Sequence, residues 1–521
     1  MGFRRLPAAL LMVAALAACS SGPSTPPPTA PVDTDVEPAT LFSPIGESRF
    51  FVSDSVPGLV AATCSGAPSL TVTDPALLDQ ESLPSGALLD GDKLTLTDDG
   101  TLKELPLRSG WRLRLRCLPE GFPSIEVTGR FSTPLALTAA PTMPDGRPWR
   151  MLLEPNGFPI WFESVPGALA DFTVTERGLL TFTAGARPIN SFTNIAGLGF
   201  HEVGFDGSEL RSWVPSEGFG LDNHGAVITP SGTLLALRYD LVEGGLPELP
   251  VLPAQAQEGR ATCPEQAPTA DDLVLRGRVV ELDTTGKVLR EWRIEDHLPF
   301  AASSAEWVNV AEDPADLRCA VDAEHLNAVE FYPKGTSAAG TASGHVLITG
   351  RHMDGAAMID WPSGEVLWTL GGHQGEKALQ ILDDPSGGPQ RPHDANLIDD
   401  DHVLLYDNRI GEPSRALIYR LDDATATLVG SSTVDCAGEP CAAFAMGSSR
   451  PVLTDGATSP SSVVVGLGTA STTAAELPLE GFRFGGSPLA GLVLGESWAY
   501  RVLPVRNLDV LSVINSQLTG R

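Results

Sequence analysis

The chain has 521 residues, of which 42% are hydrophobic, with 53 glycines, 44 prolines and a formal net charge of -30. That length exceeds one ordinary domain unless the chain is a large repeat or barrel, and frequent turns without long helical patterns predict a mostly β class with a substantial core. The acidity argues against nucleic acid as a partner, since phosphate binding needs clustered Lys and Arg; it fits a solvated surface.

Arg4 and Arg5 precede a short apolar run, Leu6 to Ala18, and then Cys19. The run is too short for a mature transmembrane helix and reads as a processing signal. Leu16-Ala17-Ala18-Cys19 resembles the lipobox of bacterial lipoproteins. The resemblance implies removal of residues 1–18 and lipid on the Cys19 thiol, and Ser20 fits sorting to an outer membrane if the cell has one. Residues 19–40, rich in Pro, Thr and Ser, are expected to form an extended tether. Six further cysteines remain: Cys64, Cys117, Cys263, Cys319, Cys436 and Cys441. Export favours disulfides, and proximity along the chain favours Cys64–Cys117, Cys263–Cys319 and Cys436–Cys441. None has metal-ligand spacing with histidine, so no metal site is expected.

Residues 41–135 carry alternating strands at Lys93–Thr97, Trp111–Leu118 and Ile125–Phe131, separated by turns rich in Gly, Pro and Asp. They predict a small β-sandwich, immunoglobulin-like, with Cys64–Cys117 as its staple and a role as spacer or wall.

From residue 136 to 521 a repeat dominates. One unit is a strand, a Gly-containing turn and a strand reaching Trp: Met151–Trp161, Phe200–Trp213, Val279–Trp292 and Ala357–Trp368, with Ala416–Gly430 as a degenerate copy. Other hairpins alternate with these, at Asp171–Phe182, His224–Leu237, His325–Arg351 and Arg391–Asn408. Two hairpins make four strands, the size of a propeller blade. Four blades are clear, and a fifth begins near Phe444. The hairpin at 150–163 lacks a first partner, so a strand near Trp498–Pro504 is expected to complete it. The fold class predicted is all-β, a six-bladed propeller behind a small sandwich; an open β-sandwich array is the competing architecture.

Overlaid, His224 and His393 open their hairpins at the same place, and His325 opens a third with an insertion in its turn. Innermost propeller strands line the central channel, so these positions converge on one rim. Arg351 ends the strand after His325 and joins that rim, with Tyr239 and Asn408 in the matching places of neighbouring blades. Cys263 and Cys319 lie in loops of the same rim. His201, His297, His345, His352, His373 and His402 do not share the position, though His352 and His373 could stand behind it.

The order HLNAVEF, LITGRH, AMIDWPSGEVLWTLGG, RPHDANL, LLYDN and SRALIYRLD, together with NHGAVITPSGTLL and VVELDTTGKVLREW, resembles the arylsulfate sulfotransferase (arylsulfotransferase) family over residues 140–510. The resemblance implies a six-bladed propeller that moves a sulfuryl group from an aryl sulfate ester to a phenol, with a transiently sulfated histidine and no nucleotide sulfate donor, metal or other cofactor. Carried over by position, His393 would be the nucleophile, with His224, His325 and Arg351 as partners. Neutral imidazole can attack sulfur, Arg351 and a protonated histidine can hold the sulfuryl oxygens, and the remaining histidine can serve as acid and base. Which of His224 and His325 does so is open. The alternatives are an anchored propeller that binds a ligand or protein without transfer, and an aryl sulfate hydrolase on the same site.

Overall fold

The structure is a computed structural model that describes residues 42–505 apart from 44–48, 53–58, 66–68, 73–74, 97–102, 107–111, 142–146, 165–171, 184–198, 245–250, 253–271, 299–304, 310–318, 335–340, 373–376, 410, 437, 454–456, 458 and 496. The leader, Cys19, the tether, Cys263 and His373 therefore lie outside the described residues.

Six four-stranded units form the ring. Blade 2 is Phe172–Val174, Leu179–Thr183, Gly199–Val203 and Glu209–Trp213. Blade 3 is Ala226–Ile228, Leu234–Glu243, Leu273–Leu282 and Val288–Arg293. Blade 4 is Leu326–Pro333, Gly344–Gly350, Gly355–Asp360 and Val366–Gly371. Blade 5 is Pro392–Leu397, His402–Asp407, Arg415–Asp422 and Thr425–Ser432. Blade 6 runs Ser448–Val452, Ser462–Gly466 and Ala474–Glu480, then Ala490–Leu494. Blade 1 is made from both chain regions: Ser497–Pro504 pairs antiparallel with Leu135–Pro141, which continues through Trp149–Leu153 to Pro159–Ser164. The ring thus closes with the C-terminal strand that the unpartnered hairpin called for.

The alternation of side chains explains why the blades stack. Leu404 in blade 5 faces Val463 and Val465 of blade 6, while its neighbours Val403 and Leu405 face Leu347 and Met358 of blade 4. Every adjacent pair of blades shares such a dry cluster, including blade 6 with blade 1 through Val464, Leu492, Leu137 and Val502. The repeated Trp ties neighbours together as well: Trp161 Nε1 donates to Phe205 O at 3.1 Å, and Trp292 Nε1 to Gly364 O at 3.0 Å. The turn glycines are required by shape. Gly286 has φ 78°, and a Cβ there would lie 1.8 Å from Val214 O.

Two further features lie outside the repeat. Ile125–Gly129, grouped with the N-terminal strands in the sequence, pairs with Ala490–Leu494 at the edge of blade 6. The remaining N-terminal strands form two four-stranded sheets, and within one of them the parallel register sets Cys64 opposite Cys117. Arg114 and Arg116 join that sheet to blade 1, through Glu154 at 3.1 Å and Pro159 O at 3.0 Å. In blade 3, the long insertion adds Cys319–Asp322, Ala305–Asn309 and Val251–Leu252 to the sheet. Cys319 is disulfide-bonded, and Cys436 is bonded to Cys441. No described helix is long and apolar enough to cross a membrane.

Candidate active site

His224 sits just before the first strand of blade 3. Its backbone N–H and its Nδ1 both donate to Asp222 Oδ1, at 2.8 and 2.6 Å, so a short Asp-x-His turn fixes the ring. His325, at φ 47°, opens blade 4, and its Nδ1 donates to Asp322 Oδ2 at 2.5 Å. The two rings meet edge to face with centroids 5.2 Å apart. Arg351 follows the second strand of blade 4, and its N–H bonds His325 O at 2.9 Å. The structure thus brings these three residues together.

His393 lies in the first strand of blade 5, 2% exposed. Its partner is Asn408, at the end of the next strand, with Nδ1 to Oδ1 2.7 Å. The amide nitrogen of Asn408 donates to Ala443 O and Met446 O, at 3.1 and 2.8 Å, which leaves Oδ1 as the acceptor. Nδ1 of His393 must then carry the proton, and Nε2 keeps its lone pair. Burial, then the charges of Arg351 and His325, hold the His393 imidazolium well below the ordinary range. His393 is a buried, neutral imidazole with a fixed tautomer.

The other two histidines differ in charge preference. For His224, burial opposes protonation, but the charge and hydrogen bond of Asp222 outweigh it and raise the pKa. For His325, burial, His224 and Arg351 push it well below 6.5. Three repeat-equivalent rings thus hold one cation-favouring and two neutral members.

Several neighbours surround these residues, and among them the sequence names only His352 as able to stand behind the rim. His352, fully buried, donates from Nδ1 to Asp322 O at 2.8 Å and accepts at Nε2 from Arg351 Nη1 at 2.8 Å. Burial lowers its pKa. Glu306, from the insertion in blade 3, accepts Arg351 Nη1 at 2.7 Å and Arg391 Nη1 at 3.3 Å on the same oxygen. Arg501, from the ring-closing strand, donates to His224 O at 2.9 Å and to Asn327 O. Asp222 and Asp322 precede their histidines by two and three residues, a spacing visible in the sequence. Glu306 stands in an insertion without a repeat counterpart, so nothing in the sequence marked it. Tyr239 turns away from a chemical role, its hydroxyl bonding Leu326 O at 2.8 Å. His201, His297, His345 and His402 lie away from the rim, on Glu209, Trp292, Asp360 and Asp399 respectively.

Asp322, His325 and His352 lie close enough together to be considered as metal ligands. Their donor set does not fit one: both Nδ1 atoms are committed as hydrogen-bond donors to Asp322, and the Nε2 of His352 is taken by a guanidinium. A separate cavity of about 1120 Å³ lies at the other mouth of the channel, lined by Glu330, Tyr332, Asn396, Asp399 and Arg450. Glu330, Tyr332 and Asn396 lie toward the far ends of the strands that His325 and His393 begin, Asp399 in the turn beyond, and Arg450 in the first strand of blade 6. Arg450 spans the space between, bonding Glu330 at 2.5 Å and Asp394 Oδ2 at 2.8 Å.

No curated protein matches the chain. Among solved structures, TolB from Acinetobacter baumannii aligns at 11% identity over 72% of this chain and 68% of its own, with a TM-score of 0.36. Hsv2 from Kluyveromyces lactis aligns at 10% identity over 64% and 94%, with a TM-score of 0.25. Residues 252–428, which carry His325, Arg351 and His393, match the family model for arylsulfotransferase (ASST), within the longer stretch 140–510 over which the sequence resembles that family.

Proposed function

We propose that the protein transfers a sulfuryl group from an aryl sulfate ester to a phenol through a sulfated His393, with no nucleotide sulfate donor. The arylsulfotransferase match supports aryl sulfotransfer as the general activity. The observation that carries the finer reading is the Asn408–His393 bond, which leaves a neutral Nε2 lone pair at the rim beside a buried arginine.

In the first step, Nε2 of His393 attacks sulfur while the sulfur–oxygen bond to the aryl group breaks. His224, the cation-favouring ring, gives its proton to the departing phenoxide. Arg351 holds the sulfuryl oxygens as charge shifts among them. In the second step, neutral His224 takes the proton of an incoming phenol, whose oxygen attacks sulfur as the nitrogen–sulfur bond breaks. His325, neutral and packed edge to face against His224, positions that ring for the exchange.

The test is turnover of a chromogenic aryl sulfate with and without added phenol. Phenol-dependent release of the chromophore is expected. Release in water alone would make the protein a hydrolase, and no release across a broad donor panel would leave a binding propeller. Incubation with donor alone should add the mass of one SO₃ group to the peptide containing His393, and His393→Ala should lose both the label and turnover. The chain is taken to act outside the cytoplasm, held by lipid on Cys19, which metabolic labelling with a fatty-acid analogue tests against Cys19→Ala.

A further inference from the structure

Arg391 sits two residues before His393 and has no role in the mechanism above. It is a buried cation in a backbone conformation that non-glycine residues seldom adopt, with φ 56°. The surrounding chain holds it there. Its N–H donates to Asp354 Oδ1 at 2.8 Å, and Gln390, beside it, donates to Asp407 Oδ1 at 2.7 Å. Such strain, about 1–3 kcal/mol, persists where the surroundings over-determine it, and it recurs at functional sites.

The side chain points to the same place as Arg351. Both guanidinium groups give Nη1 to one oxygen, Glu306 Oε1, at 2.7 Å from Arg351 and 3.3 Å from Arg391. Nε and Nη2 of Arg391 have no hydrogen-bond partner among the described residues, although only 7% of the side chain is exposed. The other oxygen of Glu306 has no partner there either. Arg391 also touches the reacting group, its carbonyl lying 3.3 Å from His393 Nδ1. Two converging forks with spare donors, around one carboxylate oxygen and beside a neutral imidazole, have the layout of an oxyanion seat.

We infer that Arg391 and Arg351 together form the seat for the sulfuryl oxygens of the donor, and that the Glu306 carboxylate is its occupant in the resting protein. The donor displaces the carboxylate and takes over its two arginines. Burial opposes the charge of Glu306, but the surrounding groups, Arg351 among them, outweigh it and hold the carboxyl far below the ordinary range. The internal competitor is therefore anionic at every pH at which the protein works, and a donor must supply a permanent anion of its own. A sulfate monoester does so; a neutral ester does not.

The inference rests on the aryl sulfate reading but is tested without turnover. Benzenesulfonate carries the same three oxygens on a carbon–sulfur bond that cannot transfer, and its binding to the full-length protein is read by titration calorimetry. Arg391→Gln is expected to weaken binding at least tenfold. Arg391→Lys, which keeps the charge and loses the fork, should fall between the two. Glu306→Gln, which keeps both arginines and removes the competing charge, should tighten binding severalfold and lower the KM for donor. Equal affinity in wild type and Arg391→Gln overturns the seat, as does wild-type protein that fails to bind benzenesulfonate. Weaker binding in Glu306→Gln overturns its role as occupant, whatever the stability of the arginine variants. Arg391-dependent binding without turnover of any aryl sulfate would keep the seat and refute transfer; turnover with unchanged binding in Arg391→Gln would do the reverse.

Discussion

Replacing Asn408 by Asp puts the His393 reading under the sharpest strain. The variant keeps an oxygen beside Nδ1, adds a charge, and loses the amide that bonds Ala443 O and Met446 O. With charge centres about 4 Å apart and an effective dielectric of about 20, the new attraction for an imidazolium is about 4 kcal/mol, or about 3 pKa units. That is a ceiling, because a buried Asp takes up protons itself. Attack on sulfur needs neutral His393, whose pKa in the wild type is held well below 6.5. The wild-type acid limb of kcat/KM therefore lies below neutrality. In Asn408→Asp the protonated ring is stabilised, so the limb should move to higher pH by about 1–3 units, while the alkaline limb stays in place. The orphaned carbonyl of Met446 also costs about 1–3 kcal/mol in stability, while Ala443 O keeps the Ser414 hydroxyl at 3.3 Å, so thermal unfolding is followed in parallel and rates are taken on folded protein. A folded variant whose acid limb does not move would refute the assignment of His393 as the neutral nucleophile.

Other perturbations have separate signatures. Asp222→Asn keeps an acceptor for His224 Nδ1 but removes the charge that raises its pKa, so the alkaline limb, where His224 loses its proton, should move to lower pH by about one unit or more, as a charged hydrogen bond of roughly 1.5–3 kcal/mol implies. An unmoved alkaline limb would assign the acid to another group. Gly447→Ala should destabilise the protein by about 2 kcal/mol or more: φ is 113°, and the new Cβ would lie 2.4 Å from the ring of Tyr406, beside the carbonyl of Met446 that steadies Asn408. Denaturant unfolding measures it. Deleting residues 497–521 removes the closing strand with the buried side chains of Ala499, Val502 and Leu503, each Val or Leu contributing about 1.5–3 kcal/mol, and takes Arg501 from His224. The shortened chain should lose cooperative unfolding; a retained sharp transition would mean the ring does not depend on that strand.

Much of the propeller is legible in the sequence because its signals are local. Alternating strands such as Val279–Leu282, Gly turns such as Asp283–Gly286 and a terminal Trp recur at matching offsets, and each reports a hairpin without reference to distant residues. Ring closure is legible only as an absence, a hairpin at 150–163 with no first partner. Ile125–Gly129 carries no such mark, since an edge strand reads the same beside residues near it in sequence as beside Ala490–Leu494. The rim is legible to the extent that it repeats. His224, His325 and His393 share one position in three hairpins, and Arg351 follows from the strand after His325. Arg391 is close in sequence to His393, but its inward turn depends on a positive φ that spacing does not reveal. Glu306 comes from an insertion, and only the folded sheet brings it to both arginines.

The repeat brings three histidines together, and it would make them equivalent if it acted alone. Each uses the same device, an Nδ1–H held by a nearby oxygen so that Nε2 is left at the rim. What distinguishes them is the holder and the next charge outward. Asp222 gives His224 a carboxylate and, with a side chain 12% exposed, the least buried ring of the three, so the cation is retained. Asn408 gives His393 an amide, which fixes the tautomer and favours the cation too weakly to offset burial, Arg351 and His325. His325 has a carboxylate, but burial raises Asp322 to about 6, and His224 and Arg351 both oppose a second cation. A two-step transfer needs one proton donor and one bare nucleophile side by side at the same pH. Symmetry supplies the convergence, and the holder together with burial and the neighbouring cations supplies the difference in charge. It follows that exchanging holders should exchange roles: an Asp222→Asn, Asn408→Asp double variant should favour protonation at His393 over His224, and NMR titration of the two rings would show whether their order has reversed.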